Sequence, residues 1–82
     1  MSPTVFRERG YRFYFFSREE PRMHVHVMSG HGEAKYWLEP QLELAKNHQL
    51  SRTELREIEL IIEAHVDELK TAWNDHFGRG SH

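Results

Sequence analysis

The chain has 82 residues, enough for one small hydrophobic core, which excludes a second independently folded domain. It contains no cysteine, so disulfides and thiolate metal sites are excluded, and zinc could bind only imidazole and carboxylate groups. The net charge of −2 is too small to indicate a partner. However, residues 1–36 hold six Arg and Lys against four Glu, whereas residues 37–82 hold five against nine acids. The basic first half could therefore meet an anionic partner such as nucleic acid.

The first predicted element is a β-hairpin in TVFRERGYRFYFF, where residues 9 and 10 (Arg-Gly) separate two runs rich in aromatic and β-branched residues. A two-residue turn there would place Phe6 opposite Phe13 and Arg7 opposite Arg12. One face would carry Phe6, Tyr11, Phe13 and Phe15, and the other Val5, Arg7, Arg12, Tyr14 and Phe16. We expect the first of these faces to belong to the core.

A second hairpin is predicted after the charged connection at residues 17–22. Its strands, MHVHVMS and GEAKYWL, would be joined by a loop of Gly30 and His31, in which the glycine supplies a positive φ. One face would carry Met23, Val25, Val27, Ala34, Tyr36 and Leu38, and the other His24, His26, Met28, Glu33, Lys35 and Trp37. The histidines would thus alternate with valines that the strand buries beneath them.

The pattern changes from alternation to helical spacing near Pro40. Residues 41–48 predict a short helix, and Ser51 with Glu54 fits a capping box at the start of a long helix that ends at Gly78. The apolar side of this helix would carry Leu55, Ile58, Ile61, Ile62, His65, Val66, Leu69, Ala72, Trp73, His76 and Phe77. We expect that side to pack across the sheet.

Together these elements predict an α+β fold: a four-stranded antiparallel sheet of two hairpins, then a short helix and a long C-terminal helix packed on the valine-bearing face. We expect a single domain over residues 1–78 and a disordered tail over residues 79–82. The N-terminal sequence has no basic segment followed by an apolar one. No run approaches the roughly 20 apolar residues that a membrane span needs, so we expect a soluble, cytoplasmic protein.

Two histidines, His65 and His76, interrupt the apolar side of the long helix about three turns apart. We interpret them as structural residues whose ring nitrogens bond a backbone group or a carboxylate. They are not assigned to the functional site.

A metal site is one interpretation of the H-x-H pattern. His24 and His26 would project the same way, roughly 7 Å apart along the strand, within reach of one zinc or manganese ion. Glu33, diagonal to His26, could add an oxygen ligand, and His31 could approach from the turn. Lys35 opposes this interpretation because its ammonium group would lie opposite His26. The alternative is a structural or solvent-facing role for the pair.

A nucleic-acid contact is the second interpretation of the same surface. If the hairpins form one sheet, cationic and aromatic side chains interleave and could hold phosphates and stack bases. The predicted binding face, named the histidine face below, comprises Arg7, Arg12, Tyr14, His24, His26, Lys35 and Trp37. RNA cleavage is also conceivable there, because it needs only a base, an acid and a cation. An ordinary mixed sheet surface remains the alternative, and the catalytic residues stay unassigned.

The segments RFYFFS, EPRMHVHV, GEAKYWLEP and TELREIELIIEAHVDELKTAWNDHFG resemble the small bacterial family numbered 4160 among the domains of unknown function. The resemblance extends from Thr4 to Gly78. Its members often have a doubled proline before HVHV, whereas here Pro21 is followed by Arg22 and Met23, so the loop shape differs. Such proteins are often encoded beside another small protein, which implies a toxin-antitoxin pair. The family brings no established catalytic residues.

The sequence thus favours a component of a toxin-antitoxin-like module that binds a protein partner or nucleic acid through the histidine face. The alternative is a small metal-dependent or acid-base ribonuclease that uses His24 and His26. Replacing both histidines by Gln should abolish activity in the second case and only weaken an association in the first.

Overall fold

The structure, a computed structural model, describes residues 4–16 and 21–77. Five strands precede two helices. The elements are β1 (Thr4–Glu8), β2 (Tyr11–Tyr14), β3 (His24–Met28), β4 (Glu33–Trp37), β5 (Glu43–His48), α1 (Arg52–Ala64) and α2 (Val66–Phe77). The predicted tail at 79–82, the helix end at Gly78 and part of the 17–22 connection lie outside the described residues.

The strands form one antiparallel sheet in the order β1-β2-β3-β4-β5, so each strand pairs with its neighbour in sequence. The predicted registers of both hairpins are confirmed. Phe6 pairs with Phe13 and Arg7 with Arg12. In the second hairpin, His24 pairs with Trp37, His26 with Lys35 and Met28 with Glu33. The pairing of β2 with β3 joins the two hairpins into the continuous surface that the histidine face requires.

The prediction of four strands was wrong, because the segment expected to form a short helix is β5. Its sequence, ELAKNH, is rich in good helix formers. A helix this short is marginal in water, however, whereas pairing with β4 satisfies one row of backbone hydrogen bonds. All six residues of β5 are exposed, as expected for a strand at the edge of a sheet.

The two outer strand pairs are irregular, whereas the two inner pairs run in continuous register. A register shift lies between Thr4 and Phe6, and a second between Lys35 and Tyr36. Val5 falls at the first shift and packs against the core. The prediction that it shares a sheet face with Arg7 and Arg12 was therefore wrong. The extra residue in the bulge breaks the two-residue alternation on which that prediction rested.

The turns differ in how they reverse the chain. Arg9 and Gly10 both have positive φ, 53° and 85°, as a two-residue type I′ turn requires. Gly30 does not have the positive φ predicted for it. In that loop the Ser29 amide donates to the Gly32 carbonyl at 2.9 Å, and the Ser29 hydroxyl accepts from the His31 amide at 3.4 Å. A side-chain hydrogen bond therefore supports a turn that needs no left-handed residue.

The predicted long helix is divided in two at His65, although its start is confirmed. Ser51 and Glu54 form both hydrogen bonds of the capping box. At the break, the His65 amide approaches the carbonyls of Ile61 and Ile62, and its φ of −122° leaves the helical range. Both helices bury apolar residues in the core: Ile58, Ile61 and Ile62 from α1, and Leu69 and Trp73 from α2.

The core lies between the helices and one face of the sheet, as predicted. The strands contribute Tyr11, Phe13, Phe15, Met23, Val25, Val27, Ala34, Tyr36 and Leu38, and the later segments contribute Leu50, Ile58, Ile61, Ile62, Leu69 and Trp73. We call this the covered face of the sheet. The histidine face lies on the opposite side of the strands, although Trp73 of α2 also contacts the ring of His24.

Candidate functional site

His24 begins β3 and is the only buried polar residue in the described part of the chain, at 0% exposure. Its ring contacts Trp37 with centroids 5.4 Å apart and Trp73 of α2 with centroids 5.1 Å apart. Ring atom Nδ1 lies 2.7 Å from the carbonyl oxygen of Arg22. Because a carbonyl only accepts, Nδ1 carries the proton and donates. His24 is therefore fixed in both orientation and tautomer.

His26, two residues further along β3, lies at the centre of a cluster of rings and is half-buried. It stacks on Tyr14 of β2 with centroids 5.4 Å apart and an interplanar angle of 26°. Its ring centroid is 4.2 Å from that of Phe16 and 5.1 Å from that of His24. The aromatic surface thus continues from β2 across β3 to Trp37 of β4.

Cations lie over the rings at both ends of this surface. The Arg12 guanidinium is 4.5 Å from the centroid of Tyr14. The Arg22 guanidinium and the Lys35 ammonium lie 4.2 Å and 4.5 Å from the centroid of Trp37. Such contacts hold the charged groups against the ring surface by attraction to the π electrons. The cations are therefore positioned beside the rings.

Six of the seven residues predicted for the histidine face are joined by these contacts; they are Arg12, Tyr14, His24, His26, Lys35 and Trp37. The seventh, Arg7, lies opposite Arg12 on β1 and is exposed. Arg7 therefore shares the face by strand register.

Two further cations were missed from the sequence. Arg22 donates from Nε to the Glu39 carbonyl at 2.8 Å and approaches Glu43 at 3.4 Å while it lies over Trp37. Arg22 precedes His24 by two residues, and residues two apart in a strand point to the same face of the sheet. This spacing could have placed Arg22 on the histidine face. Lys46 of β5 pairs with Lys35 and could not be found once residues 41–48 were interpreted as a helix.

The predicted metal ligands are not gathered into a preformed site. Glu33 pairs with Met28 and is exposed, and Nδ1 of His24 is occupied by a carbonyl, so that nitrogen does not serve as a metal ligand. Within residues 4–16 and 21–77, no group of three or more histidine and acidic side chains could hold a metal ion. His31, expected to approach from the turn, instead pairs with Glu54 of α1 at 3.0 Å. Hydrogen bonds from Ser51 and His31 lower the pKa of Glu54.

His65 makes the carboxylate contacts expected of a structural histidine. Nδ1 lies 2.9 Å from Glu68 and Nε2 lies 2.9 Å from Glu8 of β1. Both contacts are satisfied together only by the imidazolium, in which each ring nitrogen carries a hydrogen. The hydrogen bonds to Glu68 and Glu8 raise the pKa of His65. His76 packs on Phe15 and Phe77.

A shallow groove of about 580 Å³ lies elsewhere, between β1 and α2. Its walls include Val5, Phe15, Asp67, Glu68 and Asp75, and none of the residues of the histidine face. The groove is therefore separate from the histidine face. Cationic and aromatic side chains spread over neighbouring strands suit an extended ligand better than an enclosed small molecule.

A family model described as a domain of unknown function (DUF4160) matches residues 10–74. The matched range contains β2 to β5, α1 and most of α2, and every residue of the histidine face except Arg7. No curated protein and no solved structure matches the chain. Neither described helix is long and apolar enough to cross a membrane.

Proposed function

We propose that this chain, which belongs to the DUF4160 family, is a nucleic-acid-binding component of a bacterial, cytoplasmic toxin-antitoxin-like module. The histidine face is its contact surface. The observation that carries the proposal is the placement of three cations over two rings of that face, at 4.2–4.5 Å. Phosphates bind such cations through charge; Tyr14 is buried and Trp37 is half-buried, so Trp37 is the ring of the two that a base could reach.

The charge of the surrounding strands supports the same ligand. Arg7 and Arg12 face each other across β1 and β2, and Lys35 and Lys46 face each other across β4 and β5. An anionic backbone that lies across the strands would therefore meet both cationic pairs.

Binding is tested by fluorescence anisotropy with a labelled RNA at several salt concentrations. Arg12→Gln should weaken binding and reduce the slope of log K against log salt by about one, because one phosphate contact is lost. Arg56→Gln, which removes the same charge from an exposed position of α1, is the matched control and should leave the slope unchanged. Equal effects of the two variants would contradict a contact at the histidine face.

The module is tested in bacterial cells with the small protein encoded nearby, which we propose as the protein partner. The chain and the neighbouring protein are expressed separately and together, and growth and co-purification are measured. Growth arrest by one protein, relieved by the other, supports the module. Separate elution with no effect on growth in any combination would contradict it.

A second candidate, an acid-base ribonuclease, is favoured by one local arrangement. The His26 ring contacts the rings of His24 and Tyr14, and the register places Lys35 opposite His26. A base, an acid and a cation are thus neighbours. Gel assays of labelled RNA with and without a chelator test this candidate. His26→Gln should abolish cleavage, and His48→Gln on β5 should not. Intact RNA with the wild-type protein would leave binding as the function.

A further inference from the structure

A row of four rings crosses the histidine face from the end of β2 to the end of β4. It runs from Phe16 to His26, His24 and Trp37, with successive centroids 4.2, 5.1 and 5.4 Å apart. Phe16 is the most exposed ring of the row at 43%, whereas His24 is buried and the other two are half-buried. The row therefore presents its largest ring surface to a ligand at the Phe16 end.

The environment of Phe16 holds its ring in place. It packs on His26, and its edge meets Tyr14 at an interplanar angle of 70° with centroids 5.6 Å apart. Tyr14 and His26 are in turn neighbours across β2 and β3. An exposed ring supported from behind loses little conformational freedom when it stacks on a ligand.

An unpaired base can lie against such a ring directly, whereas a base in a duplex must first be unstacked. In a duplex the base faces are stacked on one another, so a protein meets phosphates and groove edges rather than base faces. A duplex laid on the histidine face would contact its cations but would cover Phe16 with a polar backbone. A single strand can place phosphates beside Arg12 and Lys35 and a base on the ring.

We propose that the histidine face takes single-stranded nucleic acid, with a base stacked on Phe16. This inference rests on the proposed nucleic-acid binding and names its substrate class. Phe16 is then a binding residue that contributes through stacking rather than charge.

The test compares fluorescein-labelled 12-nucleotide single strands of RNA and DNA with the matching duplexes by anisotropy. Wild-type protein should bind the single strands more tightly. Phe16→Ala should weaken single-strand binding by about 5- to 150-fold without changing its salt slope, because no phosphate contact is lost. Phe16→Trp should retain near wild-type affinity. Met28→Ala removes another exposed apolar side chain from the same side of the sheet, and it should have no effect.

The possible outcomes distinguish a failure of this inference from a failure of the proposed nucleic-acid binding. Wild-type protein that binds neither form would overturn both. Wild-type protein that prefers the duplex, or Phe16→Ala that binds single strands as tightly as wild type, would overturn the stacking inference and leave nucleic-acid binding intact. Thermal unfolding of each variant shows that a loss of binding is not a loss of folding.

Discussion

The two faces of the sheet differ in how polar groups are placed among aromatic rings. On the covered face, Tyr11 and Tyr36 donate from their hydroxyls to Glu57 and Glu59 of α1, both at 2.9 Å. On the histidine face, cations lie over rings instead. Two acids of the second half of the chain, Glu57 and Glu59, thus serve the helix interface, whereas a third, Glu43, meets Arg22 beside the histidine face.

The covered face also fixes the protonation of its phenols. Burial and the hydrogen bond from Tyr11 to Glu57 raise the pKa of Tyr11 to about 12. Burial and Glu59 raise the pKa of Tyr36 well above its usual range. Both hydroxyls therefore remain donors at any physiological pH. The polar contacts of the covered face are permanent parts of the fold.

His24→Ala is the variant with the largest expected effect on stability, because His24 belongs to the histidine face yet is fully buried. The variant loses the packing on Trp37 and Trp73 and leaves the Arg22 carbonyl without its donor. We expect the free energy of unfolding to fall by about 2–4 kcal/mol, measured by urea unfolding. His26→Ala, at a half-buried neighbouring position, should cost about 1 kcal/mol. Equal losses would mean that His24 is not a structural part of this face.

Tyr36→Phe tests the covered face with the next largest effect. It removes hydrogen bonds to the Glu59 carboxylate and the Leu55 carbonyl at a position with 0% exposure. The free energy of unfolding should fall by about 1–2 kcal/mol. Tyr11→Phe, which removes one bond at a position with 5% exposure, should lose less. A Tyr36→Phe protein as stable as wild type would show that these bonds add nothing to packing.

Glu8→Gln should have the smallest effect on stability. It removes the carboxylate of β1 that contacts His65 at the break between α1 and α2. The folded-state pKa of His65 is raised, so its stabilising contribution is complete below about pH 6.5 and is lost as the pH rises through the raised pKa. The variant should lose about 0.5–1 kcal/mol near pH 5.5 and nothing near pH 9. Urea unfolding at several pH values measures the loss of stability, and NMR titration of the His65 ring measures its pKa.

The matched control for that prediction is Glu63→Gln, which removes one charge from an exposed position of α1. It should show no such pH dependence. A Glu8→Gln protein whose deficit stays constant from pH 5.5 to pH 9 would contradict a contact that depends on the imidazolium.

Local patterns were sufficient for the two hairpins but not for the edge of the sheet or the break in the helix. The registers follow from the length of each turn and from alternation, both properties of neighbouring residues. β5 depends on the open edge of β4, a tertiary partner that residues 41–48 do not encode by themselves. The break at His65 has no glycine or proline to signal it, and the ring there contacts Glu8 of β1, which lies far away in sequence.

The histidine face divides in the same way. Alternation was sufficient to orient His24 and His26, but it could not show that one is buried and the other half-buried. The burial of His24 depends on Trp73, which lies far away in sequence on α2. His31 is likewise drawn to Glu54 by the packing of the helix N-terminus against the loop. Orientation is local, whereas partners are set by the assembled fold.

The two register shifts lie in the strand pairs at the two edges of the sheet, and each bears on how copies of the protein behave together. A flat, regular edge strand is a template for another chain, and bulges and lysines obstruct such pairing. β5 has both, since its pairing with β4 is shifted and it carries Lys46. The irregular edges therefore act against aggregation, because they hinder the edge strand of one copy from pairing with that of another.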